Sequence, residues 1–217
     1  APFIRHDESS IGRRYQRARI MINHPQTYSW LLWQSLSREL VADCKVFSVN
    51  SILSESQSAD RKRAQFYTIN CSPWVNVIAL NSDNSVLMVE QYRHGVEGVT
   101  LEIPGGCVEP CDDTPLAAAM RELKEETGCV AERWTYLGKN HPNPALQDNF
   151  CYTYLAEGVR KVETPTFDDT GTERINSLYL PLHKINDAIR SGAINHALVI
   201  AAFHFLALER PELISKK

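Results

Sequence analysis

The chain has 217 residues, 43% of them hydrophobic, and a formal net charge of −3. That length suits one domain with an appendage or two small domains, with enough apolar residues for a real core. The charge balance leaves no basic stripe for nucleic acid, and no apolar run approaches the roughly 18 residues of a membrane span.

In chain order, residues 1–25 are polar and mixed and read as an arm. "QTYSWLLWQSLSR" (26–38) reads as a short amphipathic helix or a packed segment. "CKVFSVNSIL" (44–53) and "AQFYTIN" (64–70) are β-branched and alternating, and "SESQSADRKR" (54–63) is a polar loop between them. Residues 26–72 thus form an N-terminal helix and β-rich segment, and 73–217 form the main domain. There "WVNVIAL" (74–80) and "VLMVEQY" (86–92) flank the turn signal "NSDNS". "GVTLEI" (98–103) is a strand stopped by Pro104 and a Gly-Gly turn. A helix follows from Thr114 to Thr127, then strands at 134–139, 151–156 and 175–180. Two closing helices share 183–209, separated near Gly192. The mix predicts an α+β fold, a sandwich of helices around a mixed sheet with a small N-terminal β-rich domain.

The six cysteines, in a chain this long with no charged and apolar leader pattern, are expected to be reduced thiols in a cytoplasmic protein. Cys107 and Cys111 are spaced C-x3-C, but no C-x2-C pair or H-x3-H partner supports zinc.

The chemistry concentrates in the helix. Thr114 suits the N-cap, Pro115 the first helical position and Gly128 the C-terminal stop. Leu116, Ala119, Met120 and Leu123 fall on a stripe expected to be buried. Glu122, Glu125 and Glu126 lie at i, i+3 and i+4, hence on one face. Three adjacent carboxylates repel one another unless a cation neutralises them, and hard ions such as Mg²⁺ (or Mn²⁺) take oxygen ligands of this kind. Arg121, four residues before Glu125, is placed to orient that carboxylate. A charge-laced helix face is the plainer reading of "RELKEET" alone. Its setting, after a strand, Pro-Gly-Gly and an acidic loop, shifts the reading to a metal site.

"GGCVEPCDDTPLAAAMRELKEETGC" resembles the Nudix box, G-x5-E-x7-R-E-U-x-E-E-x-G-U, where U is a bulky aliphatic. Arg121, Glu122, Leu123, Glu125, Glu126 and Gly128 match. Asp112 stands for the first glutamate, eight residues rather than seven precede Arg121, and Cys129 holds the last aliphatic position. The extra residue precedes Thr114, in the loop, and the upstream acid is expected to be structural. "VLMVEQYRHG" with "VTLEIPGG" is similar to the Q-x-R and L-E-x-P-G-G run of the ADP-ribose pyrophosphatase and nucleoside diphosphate sugar hydrolase branch, and Pro144 follows the box at that branch's distance.

The resemblance implies Mg²⁺-dependent cleavage of the diphosphate of ADP-ribose or a related nucleoside diphosphate sugar into a nucleoside monophosphate and a sugar phosphate. It implies Glu122 and Glu126 as metal ligands with the Gly105 carbonyl, Glu125 as a further ligand or water partner, and Arg121 as their support. Arg93 would face the diphosphate and Glu102 the terminal ribose or a bound water. In the loop "TPTFDDTGTERIN", Glu173 best matches the branch's general base, with Asp168 and Asp169 beside it. Trp74 reads as a purine stack or a packing tryptophan, and His141, His183 and His196 as packing or surface residues. The branch's extra domain implies a homodimer through the N-terminal segment, with no nucleic-acid or membrane partner. Hydrolysis of another nucleotide, such as the dinucleotide NADH, and a non-catalytic nucleotide sensor stay open; crowding three acids gains a pure binder little.

Overall fold

A computed structural model describes residues 30–167, 172 and 174–214. These fall into two compact units, one of residues 30–71 and 143–148, the other of residues 72–142 and 149–214.

The first unit is a three-stranded antiparallel sheet of β1 (Trp33–Asp43), β2 (Phe47–Ser56) and β3 (Arg63–Cys71), in that order. Of the two readings of 26–38, a short helix or a packed segment, the helix is not formed in the described part beyond Leu32. Trp33 onward pairs with β2 from Trp33↔Ser56 to Asp43↔Ser48. Cross-strand pairing overrides the helical spacing of these leucines and tryptophans, and Trp33 meets Phe66 edge to face at 5.2 Å. The β2–β3 hairpin is tied by Glu55, whose carboxylate takes Arg63 Nε at 2.8 Å.

The second unit is built on a seven-stranded sheet. Its path runs β12 (Ile175–Pro181), β5 (Ser85–Arg93), β4 (Trp74–Leu80), β10 (Cys151–Glu157) and β9 (Arg133–Asn140). β6 (Gly98–Glu102) pairs with β5, and β7 (Gly105–Cys107) with β4. The β4–β10 pair is parallel and the other pairs are antiparallel, so the sheet is mixed. A two-stranded ribbon joins β8 (Cys129–Val130) to β11 (Arg160–Lys161).

Period-2 alternation divides the core. On β4, Val75, Val77 and Ala79 pack on one face with Ala118, Ala119 and Leu123 of helix α1 (Pro115–Thr127). Ile78 and Leu80 pack on the other face with Val199, Ala202, Phe203 and Leu206 of the helix Ala197–Glu209. That helix is α3; the short α2 spans Ile185–Arg190 and α4 spans Pro211–Ile214. Both faces of β4 are covered, which is why "WVNVIAL" is nearly continuously apolar. The α+β expectation of a mixed sheet between helices, with a separate N-terminal β sheet, is borne out.

The caps of α1 follow the sequence. Thr114 Oγ1 accepts from the Ala117 N–H at 3.1 Å, and Gly128 is left-handed at φ 69. One expected stripe residue, Met120, is exposed instead. Ala118, Ala119, Leu123, Glu126 and Thr127 set the buried arc, and Met120 falls at its edge. Among the described residues, no helix is long and apolar enough to cross a membrane. All six cysteines are free thiols.

Candidate active site

The site starts at the glycine pair. Gly105 and Gly106 are not a left-handed turn; they lie in β7, with Gly106 opposite Val75 and Gly105 opposite Asn76. What requires glycine is close approach. A Cβ at Gly105 would lie 2.2 Å from the Val75 carbonyl oxygen, and one at Gly106 would lie 2.3 Å from Glu122 Oε1. The Gly105 N–H donates to Glu126 Oε2 at 3.0 Å. The structure thus brings Glu122 and Glu126 to the same two backbone residues.

Helical geometry grades the three carboxylates. Glu126 falls inside the buried arc of α1, and Glu122 and Glu125 are half-buried beside it. Arg121 Nη1 donates to Glu122 Oε1 at 3.0 Å and Glu125 Oε2 at 2.9 Å. Its other edge grips Asp112, Nε to Oδ1 at 3.2 Å and Nη2 to Oδ2 at 2.9 Å, and Nη2 also reaches the Cys107 carbonyl at 2.8 Å. Asp112, the residue displaced in the box, is therefore the anchor of Arg121. Its Arg121 hydrogen bonds hold its carboxyl below the ordinary carboxylate range. The same bonds, reinforced by Glu122 and Glu125, hold Arg121 above the ordinary guanidinium range. One guanidinium thus ties the acidic loop, the end of β7 and two helix carboxylates together.

The donor set suits a hard divalent cation. Glu122 and Glu126 offer only oxygen, and the Glu122 carboxylate sits where a Cβ on Gly106 would otherwise be. Among the described residues, no three His, Cys, Asp or Glu side chains form a metal-holding group as they stand. Arg121 holds Glu122 and Glu125, and the Gly105 amide holds Glu126.

Gly105 and Gly106 also line a cavity of about 710 Å³, with Trp74, Arg93 and Glu102. That volume is in the range of small-molecule sites. The residues expected to touch substrate are thus gathered on one cavity, away from neither the glycines nor each other. Arg93 pairs bidentately with Glu102, Nε to Oε1 at 2.8 Å and Nη2 to Oε2 at 2.7 Å. Thr100 Oγ1 adds a bond to Glu102 Oε1 at 2.6 Å. Burial pushes the Glu102 carboxyl up, but the Arg93 and Thr100 bonds and the Arg93 charge outweigh it, leaving its pKa below the ordinary value. Glu102 is therefore an ionised, nearly buried anchor.

Cys151, in the cavity wall, has its thiol pushed up to about 12 by burial, so it is a neutral wall residue and not a nucleophile. His196, expected to pack or face solvent, also lines the cavity, as does Asn195. Neither has a motif spacing, and only the start of α3 brings them here. Glu173, Asp168 and Asp169 lie outside the described residues.

Residues 73–203 match the family model of the NUDIX domain. The chain belongs to the Nudix family. The match contains the whole α1 and glycine-pair region, and the protein is a Nudix hydrolase. It is 33% identical over 135 residues to the methanol dehydrogenase activator of Bacillus methanolicus, covering 62% of this chain and 72% of that one. It is 27% identical over 179 residues to the ADP-ribose pyrophosphatase of Bacillus subtilis, covering 81% of this chain and 96% of that one. The fold matches the crystal structure of an ADP compounds hydrolase with TM-score 0.69 at 22% identity, over 83% of this chain and 95% of the other. The resemblance to the ADP-ribose pyrophosphatase branch is borne out.

Proposed function

We propose that this Nudix hydrolase cleaves the diphosphate of ADP-ribose or a related nucleoside diphosphate sugar, with Mg²⁺ or Mn²⁺, to a nucleoside monophosphate and a sugar phosphate. The observation that carries the reading is one glycine pair serving two neighbours. Gly105 and Gly106 touch the α1 carboxylates and also line the cavity that holds Arg93 and Glu102. The name of the Bacillus subtilis relative supports the substrate class.

Glu122 and Glu126, with the Gly105 carbonyl, would hold the cation, and Glu125 would add a ligand or hold a water. Such an ion, when bound, neutralises charge that builds on the diphosphate. Arg121 keeps Glu122 and Glu125 in place while Asp112 fixes Arg121. Arg93, its guanidinium plane set by Glu102, orients a phosphate oxygen from the cavity side. Trp74 offers a flat wall for a base. Glu173 takes the proton of the attacking water as general base. Water adds across one P–O–P bridge, so each product leaves with a phosphate.

The homodimer reading rests on the N-terminal sheet, which exposes Trp33, Leu36, Leu40, Phe66 and Tyr67. Sedimentation at micromolar concentration tests it: a monomer mass argues against it.

The central test incubates the protein with Mg²⁺ and a panel of ADP-ribose, other nucleoside diphosphate sugars and dinucleotides, following release of the monophosphate. Glu126→Gln should lower the rate at least a hundredfold with an unchanged melting temperature. A fully active Glu126→Gln variant would refute the metal assignment, and tight binding without turnover of any compound would favour a sensor.

A further inference from the structure

His196 is the least explained residue of the cavity. It takes the N-cap position of α3 in an extended conformation, φ −73 and ψ 118, yet its side chain makes no capping bond. The Val199 and Ile200 N–H groups bond its backbone carbonyl instead. Its Nδ1 is buried and has no hydrogen-bond partner among the described residues. An orphaned buried polar atom costs about 1–3 kcal/mol, so native folds rarely keep one without use. The backbone that carries it is fixed, since Asn76 Nδ2 of β4 donates to the Leu198 carbonyl at 3.3 Å.

The neighbouring chemistry selects what that nitrogen meets. His196 and Glu102 line the same cavity, and Glu102 is already held by Arg93 and Thr100. Arg93 takes both oxygens of that carboxylate and is placed to meet the phosphate, which leaves the imidazole to meet a neutral polar group. A sugar hydroxyl fits, because it donates to one group and accepts from or donates to the other. The imidazole torsion is broad, so the ring turns Nδ1 to a ligand without moving α3.

We propose that His196 is a specificity-determining residue of this cavity, hydrogen-bonding a hydroxyl of the sugar joined to the diphosphate. This rests on the hydrolase reading above. A wall with a committed hydrogen-bonding group discriminates against ligands that lack the hydroxyl, since the buried group is then left unpaired.

The test compares wild type with His196→Phe, which keeps a ring and removes the hydrogen bond, and His196→Asn, which restores a polar group. With ADP-ribose, His196→Phe should raise KM about tenfold with kcat within about threefold, the loss of one hydrogen bond near 1.4 kcal/mol. His196→Asn should recover part of that loss, and it carries the same comparison should the Phe variant fail to fold by circular dichroism. Calorimetric affinity for ADP, which lacks the distal sugar, should stay within twofold in both variants. An unchanged KM, or an equal loss of ADP affinity, overturns the inference. If wild type hydrolyses no sugar diphosphate, the hydrolase reading fails by itself. The calorimetric ratio of ADP-ribose to ADP then decides on His196 by the same tenfold criterion. Wild type that binds ADP-ribose no better than ADP overturns it.

Discussion

Gly106→Ala separates the site's chemistry from its fold. The added Cβ would lie 2.3 Å from Glu122 Oε1, 2.5 Å from its Cδ and 2.8 Å from Oε2. The carboxylate must retreat by about 1 Å to reach ordinary contact, and a misplacement of that size costs about a hundredfold in rate. What moves is the end of a flexible side chain, so an off-rotamer cost of about 1 kcal/mol or less is expected, a melting shift of a few degrees. The neighbouring Gly105→Ala is the contrast. Its Cβ would lie 2.2 Å from the Val75 carbonyl oxygen, which is backbone and cannot rotate away. Overpacking of that kind costs about 1–3 kcal/mol, and separating β7 from β4 costs more. The assay pairs differential scanning calorimetry with kcat/KM on ADP-ribose across a Mg²⁺ titration. Gly106→Ala should lose about a hundredfold in kcat/KM while melting near wild type, and Gly105→Ala should melt well below it. A Gly106→Ala protein within threefold of wild-type activity, or one as unstable as Gly105→Ala, would refute the close-approach reasoning.

Three further outcomes follow from the same contacts. Arg121→Met leaves the nearly buried Asp112 carboxylate without its cation, with only the Glu109 N–H still donating to it, and should cost about 2–4 kcal/mol by urea melt. Arg121→Lys should fall between, since one ammonium cannot hold the two-edged fork. Gly128→Ala puts a Cβ 2.0 Å from the Glu163 carbonyl oxygen at φ 69, so melting should drop roughly 5–12 °C. The activity of the folded fraction should not change. Glu102 has a carboxyl below its ordinary 4.5 after burial is offset by Arg93 and Thr100. Its contribution to stability is therefore complete above that pH and lost as pH falls through the lower folded value. Stability of wild type over Glu102→Gln should shrink as pH falls below about 4.5; a gap that widens on acidification would reverse the sign.

Much of the fold was legible because its signals are local. β4 and β5 are apolar runs around "NSDNS", and α1 is bracketed by Thr114 and Gly128, a hydroxyl cap and a left-handed stop that act within one turn. β1 was not legible. Its residues carry helical spacing, and only pairing with β2 across a hairpin makes them a strand. Met120 was misplaced because stripe arithmetic gives a direction and not the width of the neighbour covering it. His196 carries no motif, so nothing short of the packing of α3 against the sheet could put it in the cavity.

The sequence alone determined that Arg121, Glu122, Glu125 and Glu126 share one end of one helix. Helical periodicity is a property of consecutive residues and needs no partner. It likewise determined the family, through the spacing of those residues behind a glycine pair. The tertiary structure decided why that pair must be glycine, since the atoms that exclude a Cβ come from Val75 and from Glu122. It also decided that Asp112, despite the extra loop residue, still reaches Arg121. A loop absorbs one residue where a helix cannot, and that distinction is visible only once both ends are held in place.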